Sequence, residues 1–229
     1  MSQPTAPSNR QPNSFFLVFE GLDGSGKSTL IRGLERELTM RGQKFRLTRE
    51  PGGTPLAEEI RKLVLRTGEE VPVPATELLL YAASRAQHVA GVIQPSLAKG
   101  EWVLCDRFSA SSVSFQSFAR GVDRSTVDWL NTFAQQSTIP DLNILVDVTV
   151  DESERRQAKR QDTGQKADRM ESEKRDFHEA VRRGYLAQAK ESPAAWLVLD
   201  GTLTPDALCA ALIEKLEARG WLTKLQAAR

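Results

Sequence analysis

Five short apolar runs punctuate the chain: FFLVFE (15–20), KFRLTR (44–49), EWVLCD (101–106), LNILVDV (142–148) and AWLVLD (195–200). Helical patterns separate them, and this alternation predicts a parallel sheet covered by helices. Between the first two runs, Leu30, Ile31, Leu34 and Leu38 recur at helical intervals while Arg32, Glu35 and Glu37 fall elsewhere. That is a surface helix with one face on a sheet. A longer helical stretch is predicted from Glu77 to Leu97, after the turn-like VPVPAT. It sets Tyr81, Arg85 and His88 at offsets of four and three, on one face.

With 229 residues, 40% of them hydrophobic, the chain can bury a substantial core, and a single domain over residues 14–229 is expected. The start, MSQPTAPSNRQPNS, is polar and proline-bearing, without the apolar core of a secretory signal, so residues 1–13 are expected to form a disordered tail. Lys+Arg 31 against Asp+Glu 30 leaves a formal charge of +1. No field of that size advertises nucleic acid or a membrane surface, so any anion site must be local. Cys105 and Cys209 match no metal-ligand spacing and fit a reduced, cytoplasmic protein.

Local anion chemistry is present at the first strand's end. GLDGSGKS, Gly21 to Ser28, has the G-x-x-x-x-G-K-[ST] spacing, with a strand-like run before it and an amphipathic helix after it. Glycines permit a tight loop whose N–H groups point at a β-phosphate beside the positive end of the helix. Lys27 should reach the β- and γ-phosphate oxygens and the Ser28 hydroxyl should ligate Mg²⁺. ATP phosphates are thus assigned to Gly21, Leu22, Asp23, Gly24, Ser25, Gly26, Lys27, Ser28 and Thr29. GTPase switches, motors and small-molecule kinases all carry such a loop. A GTPase would add an N-K-x-D guanine reader and a D-x-x-G switch, and neither stands in a plausible place. A small-molecule kinase would add an acceptor site and an arginine-bearing lid.

Candidates for both follow. TREPGGT (48–54) projects Arg49 and Glu50 from the end of the second strand, where a parallel sheet faces its ligand crevice; an ordinary βα turn would contain the same residues. CDRF ends the third strand, so Asp106 can hold metal-bound water and Arg107 can clamp a monophosphate, unless the two form a plain ion pair. DESERRQAKRQDTGQKADRMESEK (151–174) is nearly free of apolar residues and carries Arg155, Arg156, Lys159, Arg160, Lys166 and Arg169. It is either a solvated charged helix or a lid, placed at about 151–172, whose cations close over a phosphoryl group in transfer.

Taken in order, FEGLDGSGKST, REPGGT, LLLYAASRAQH, DRF, SFQSFARG, PDLNILVDV and ADRMESE resemble the thymidylate kinases of the nucleoside monophosphate kinase group, over roughly residues 15–211. The resemblance implies a P-loop α/β kinase fold with a five-stranded parallel sheet, helices on both faces and a small lid insertion. It also implies transfer of the ATP γ-phosphoryl group to dTMP, giving dTDP for dTTP synthesis, by a homodimer. Tyr81 takes the place of the aromatic that stacks on thymine, and Arg85 that of the arginine on the base edge. Gln116 matches a glutamine of the nucleoside pocket, Arg107 the acceptor-phosphate clamp, and Asp23 a carboxylate near the sugar and phosphates.

The chain also departs from the family pattern. Phe108 stands where tyrosine is common after Asp-Arg, Ser84 where aspartate commonly precedes the base-reading arginine, and SFQS where AYQG is common. Gly24 occupies a loop position where some members carry arginine, so the missing guanidinium is expected from the lid, Arg160 first and Arg169 second. A deoxynucleoside kinase with Glu50 or Asp106 as base, a nucleotide-occupied regulator and an inactive relative are the rival readings.

Overall fold

The computed structural model describes residues 10–161 and 168–222. All five apolar runs are strands: β1 (Phe16–Glu20), β2 (Phe45–Arg49), β3 (Trp102–Asp106), β4 (Leu142–Asp147) and β5 (Trp196–Asp200). They form one parallel sheet in the order β2-β3-β1-β4-β5. β1 lies at its centre with every residue buried, as a strand covered on both faces must, while β2 at the edge exposes Arg46, Leu47 and Arg49.

Helices cover both faces. Leu30, Leu34 and Leu38 of α1 (Lys27–Met40) and Leu208, Leu212 and Leu216 of α9 (Pro205–Ala218) meet Leu17 and Phe19 of β1. The alternate residues Phe16 and Val18 meet the opposite layer, Val89, Ile93 and Leu97. Ahead of that layer in the chain lie α2 (Pro55–Val64) and α3 (Pro74–His88). α3 continues through a π-helical turn, Val89–Ile93, into α4 (Gln94–Ala98). The helix expected over 77–97 is therefore one path with a widened turn next to Pro95, which has no N–H to give the ladder. After β3 come α5 (Ser109–Ser112), a second π-helical stretch, Val113–Ala119, and α6 (Arg124–Gln135). α7 (Val150–Gln161) and α8 (Arg175–Glu191) lie between β4 and β5.

The end of the expected tail, residues 10–13, lies among the described residues and meets the body of the domain. Arg10 pairs with Asp141, Gln11 N–H donates to Leu97 O at 3.2 Å, and Trp102 Nε1 donates to Asn13 O at 3.1 Å, so polar partners in the body fix residues 10–13. Residues 1–9 lie outside the described part. No described helix is long and apolar enough to cross a membrane.

Candidate active site

β1 has β3 on one side and β4 on the other, so the crevice opens at its C-terminal end, where chain order around the sheet reverses. A cavity of about 620 Å³ lies there. Asp23, Gly24, Gly26, Lys27, Ser28 and Thr29 line one part, and Arg49, Glu50, Tyr81, Arg85 and Gln116 another. Asp106, Arg107 and Arg160 also line it. Of the three lid and clamp arginines expected to act on phosphoryl groups, only Arg169 is absent from its walls.

Gly26 caps α1 with φ 111°, and the loop before it folds the Lys27 ammonium onto Gly21 O and Leu22 O at 3.1 and 2.9 Å. Burial, reinforced by the nearby Arg107, lowers the Lys27 pKa. Gly24, at φ 78°, has α7 against it: an added Cβ would lie 3.0 Å from Ser153 O and 3.3 Å from Arg156 Cβ. Ser153 Oγ and Gln157 Nε2 donate to Asp23 O at 2.6 and 3.2 Å, and Arg156 donates to Ser25 O and Gly201 O at 3.0 and 2.8 Å. The first half of the expected lid is thus bonded to the phosphate loop. Arg155 is engaged with Glu152 on the exposed side, and Lys166 lies outside the described residues. Arg160 pairs with Glu171 at 3.1 Å at the cavity's edge.

Arg107 adopts a left-handed backbone, φ 69°, uncommon for a side chain of its size. Its guanidinium donates to Asp23 Oδ1 at 2.7 Å and Tyr185 OH at 2.9 Å, and lies 5.1 Å from the Phe115 ring centre. Burial opposes the Asp23 charge, but Arg107 and Lys27 outweigh it and hold that carboxyl well below the usual range. Glu20, fully buried at the end of β1, fixes the turn: its carboxylate accepts from Phe108 N, Ser111 Oγ and Tyr185 OH at 3.0, 2.7 and 2.9 Å. Burial pushes its pKa up. The sequence reading missed both Glu20 and Tyr185. A carboxylate ending an apolar strand was the available signal for the first; Tyr185 offered none.

Among the residues expected to meet the base, Arg85 is almost wholly buried. It donates to Glu50 at 2.8 Å, Asn131 at 2.6 Å, and Phe108 O and Ser112 Oγ at 3.1 Å. The expected reader of a base edge is thus first a hub that ties the turn after β2 to α3, α5 and α6. Glu50 also meets His88 Nδ1 at 3.1 Å, and Arg49 pairs with Glu58 at 2.8 Å. The departures have local partners: Ser84 Oγ accepts from Gly52 N at 3.2 Å, and Phe108 packs edge-on to Phe16 and beneath Arg85. Arg169 turns from the phosphate region and donates to Val64 O at 2.9 Å and Glu77 at 2.6 Å.

The family model for thymidylate kinase matches residues 19–211. The chain belongs to the thymidylate kinase family. Its enzyme class is therefore a nucleoside monophosphate kinase that converts dTMP to dTDP. The thymidylate kinase of Bdellovibrio bacteriovorus is 54% identical over 205 residues, 89% of this chain and 96% of that one. That of Trichlorobacter lovleyi is 44% identical over 206 residues, 89% of this chain and 97% of that one. A crystal structure of thymidylate kinase from Ehrlichia chaffeensis matches with TM-score 0.70 at 30% identity, covering 90% of this chain and 99% of that one. The five-stranded α/β P-loop fold expected from the sequence is the fold of that relative.

Proposed function

We propose that this cavity performs the transfer with ATP phosphates on Gly21 to Thr29 and dTMP between Arg107 and Tyr81. One observation carries the assignment: a single cavity is lined by the phosphate loop, by Tyr81 and Gln116, and by Arg107, which pairs with Asp23 of that loop. Arg107 can clamp the acceptor phosphate, Tyr81 can stack on the base, and Gln116 and Arg85 flank its edge. A phosphate oxygen is already an anion, so no strong base is needed; positioning and charge neutralisation suffice. Lys27 meets the donor phosphates, and Arg160 neutralises charge on the group in transfer. Arg49 and Glu50 shape the acceptor side, Glu50 by holding Arg85.

The donor set fits Mg²⁺. Asp106 Oδ1 is buried with no hydrogen-bond partner among the described residues, and Ser28 presents its hydroxyl in the first turn of α1. Among those residues no cluster of three or more His, Cys, Asp or Glu could hold a metal alone, which suits an ion that keeps waters and substrate oxygens. When bound, Mg²⁺ supplies charge neutralisation on the ATP phosphates.

We further assign a homodimer in the cytoplasm. Support for the dimer is an apolar surface on α6, where Trp129 and Phe133 stack at 6.0 Å while 64% and 68% exposed. Light scattering on wild type and Trp129→Glu tests it, with half the mass expected for the variant. A coupled assay of ADP release over thymidine and a panel of nucleoside monophosphates tests the reaction. Turnover with dTMP and not thymidine is expected; preference for thymidine would replace this reading with a deoxynucleoside kinase.

A further inference from the structure

Gln116 sits on the π-helical stretch Val113–Ala119 and lines the cavity, and the two ends of its amide have opposite hydrogen-bonding character. Its nitrogen is already engaged, donating to Glu77 Oε1 at 2.8 Å. Glu77 is fully buried, lies behind the cavity wall, and stands one helical turn before Tyr81 on α3. Two guanidiniums complete its shell: Arg169 donates to Oε2 at 2.6 Å, and Arg120 approaches both oxygens at 3.4 Å. Arg120 is itself held, by Glu173 and by the Phe177 ring 4.5 Å away.

A carboxylate between two arginines accepts and does not donate. Gln116 therefore cannot turn its carbonyl toward Glu77 without setting two acceptors against each other and leaving a buried carboxylate bond unmade. The amide orientation is fixed before any ligand arrives. With the nitrogen drawn behind the wall, the carbonyl is the end left for the cavity.

We propose that Glu77 is a positioning residue for base selection: by holding the Gln116 amide nitrogen, it presents the Gln116 carbonyl as an acceptor to the pyrimidine edge. An acceptor there fits the N3–H of thymine or uracil and opposes the N3 lone pair of cytosine. Arg169 then serves the pocket and not the phosphoryl group, by holding the Glu77 carboxylate in place. The inference rests on the assignment of dTMP to this cavity.

The test is steady-state kcat and KM for dTMP, dUMP and dCMP on wild type, Glu77→Gln, Gln116→Leu and the double variant, with thermal denaturation of each. In Glu77→Gln an amide at position 77 can meet Gln116 with either end, so Gln116 is released. The dTMP KM should rise roughly two- to tenfold, the size of one neutral hydrogen bond, with kcat little changed. The dTMP-over-dCMP ratio of kcat/KM should narrow while dTMP-over-dUMP stays as it was. In the Gln116→Leu background the same substitution should cost no further discrimination, because the two residues act as one unit. Equal losses in both backgrounds, or full dTMP-over-dCMP preference in folded Glu77→Gln, overturns the proposal. Should Glu77→Gln fold poorly, Glu77→Asp keeps a charge for both arginines and withdraws the oxygen from Gln116, and the same cycle decides. Lack of wild-type dTMP turnover would overturn the substrate reading and this inference together; intact wild-type turnover with an unresponsive cycle overturns this inference alone.

Discussion

The proposed phosphate end of the cavity comes from one contiguous stretch, Gly21 to Thr29, whereas Glu50, Glu77, Arg85, Gln116 and Asn131 reach the proposed base end from four separate segments, Glu77 and Arg85 sharing α3. The first end offers backbone N–H groups and one ammonium, shaped by glycine torsions that need no distant partner. The second is a web of buried side chains in which each orients the next: Glu50 holds Arg85, and Glu77 holds Gln116. A substitution at the phosphate end should therefore remove chemistry and spare the fold. At the base end, chemistry and stability should fail together.

Lys27→Ala is the sharpest break of that contrast. Its ammonium bonds loop carbonyls and pairs with the loop's own Asp23 at 3.8 Å, so turnover should fall by about 10³-fold or more with an unchanged circular dichroism spectrum. Near-wild-type turnover would remove the loop from the donor site. Arg160→Ala should follow, lowering kcat by about 10²–10³-fold while ATP and dTMP titrations stay near wild type, since its contact forms chiefly in the transition state. Arg160→Lys should restore only part, keeping the charge without the planar fork. Unchanged single-turnover chemistry in Arg160→Ala would exclude this arginine.

Arg85→Ala probes the other end. Its side chain and that of Glu50 are 2% and 3% exposed, so removing the guanidinium leaves a buried carboxylate with its His88 contact but without its arginine, at a cost of up to about 3–5 kcal/mol. Denaturant titration should show that loss, and dTMP KM should rise with it. A variant as stable as wild type but poor in dTMP would make Arg85 a reader of the base alone, and the contrast between the ends would fail.

The same contrast governs what the sequence made legible. The five strands and the phosphate loop are local patterns, and each appears where apolar period and glycine spacing put it. Candidates for the base end were visible as residue types: Tyr81 and Gln116 do line the cavity. Their partners were not visible. Nothing in the spacing of Glu77 and Gln116, or of Arg169 and Val64, reports contact across 39 or 105 residues. The contacts of the expected lid were hidden for a related reason, because a run of charged residues does not reveal that Ser153, Arg156 and Gln157 meet the phosphate loop while Arg169 meets α3. The π-helical stretch carrying Gln116 also lacks a sequence signal, since it widens a helix without glycine or proline inside it.

Glu20 joins the two ends, closing β1 just before the phosphate loop while holding Phe108 N, and it yields the smallest effect. Burial raises its pKa above the ordinary 4.5, against the pull of Arg107 and three hydrogen bonds. The folded state therefore binds its proton more tightly than the unfolded chain does. Stability linked to Glu20 is fully present below 4.5 and is lost as pH rises through the raised value. Glu20→Gln keeps an acceptor for Phe108 N, and the Ser111 and Tyr185 hydroxyls can turn to meet the new amide. The variant loses only the titration. Its stability relative to wild type should then climb as pH rises above 4.5, by at most about 1.4 kcal/mol for each pH unit crossed in the window. Urea titrations of both proteins from pH 4.5 to 8 measure it. A difference that stays flat would mean that the hydrogen bonds and Arg107 cancel the cost of burial, and that Glu20 holds the turn charged at every pH tested.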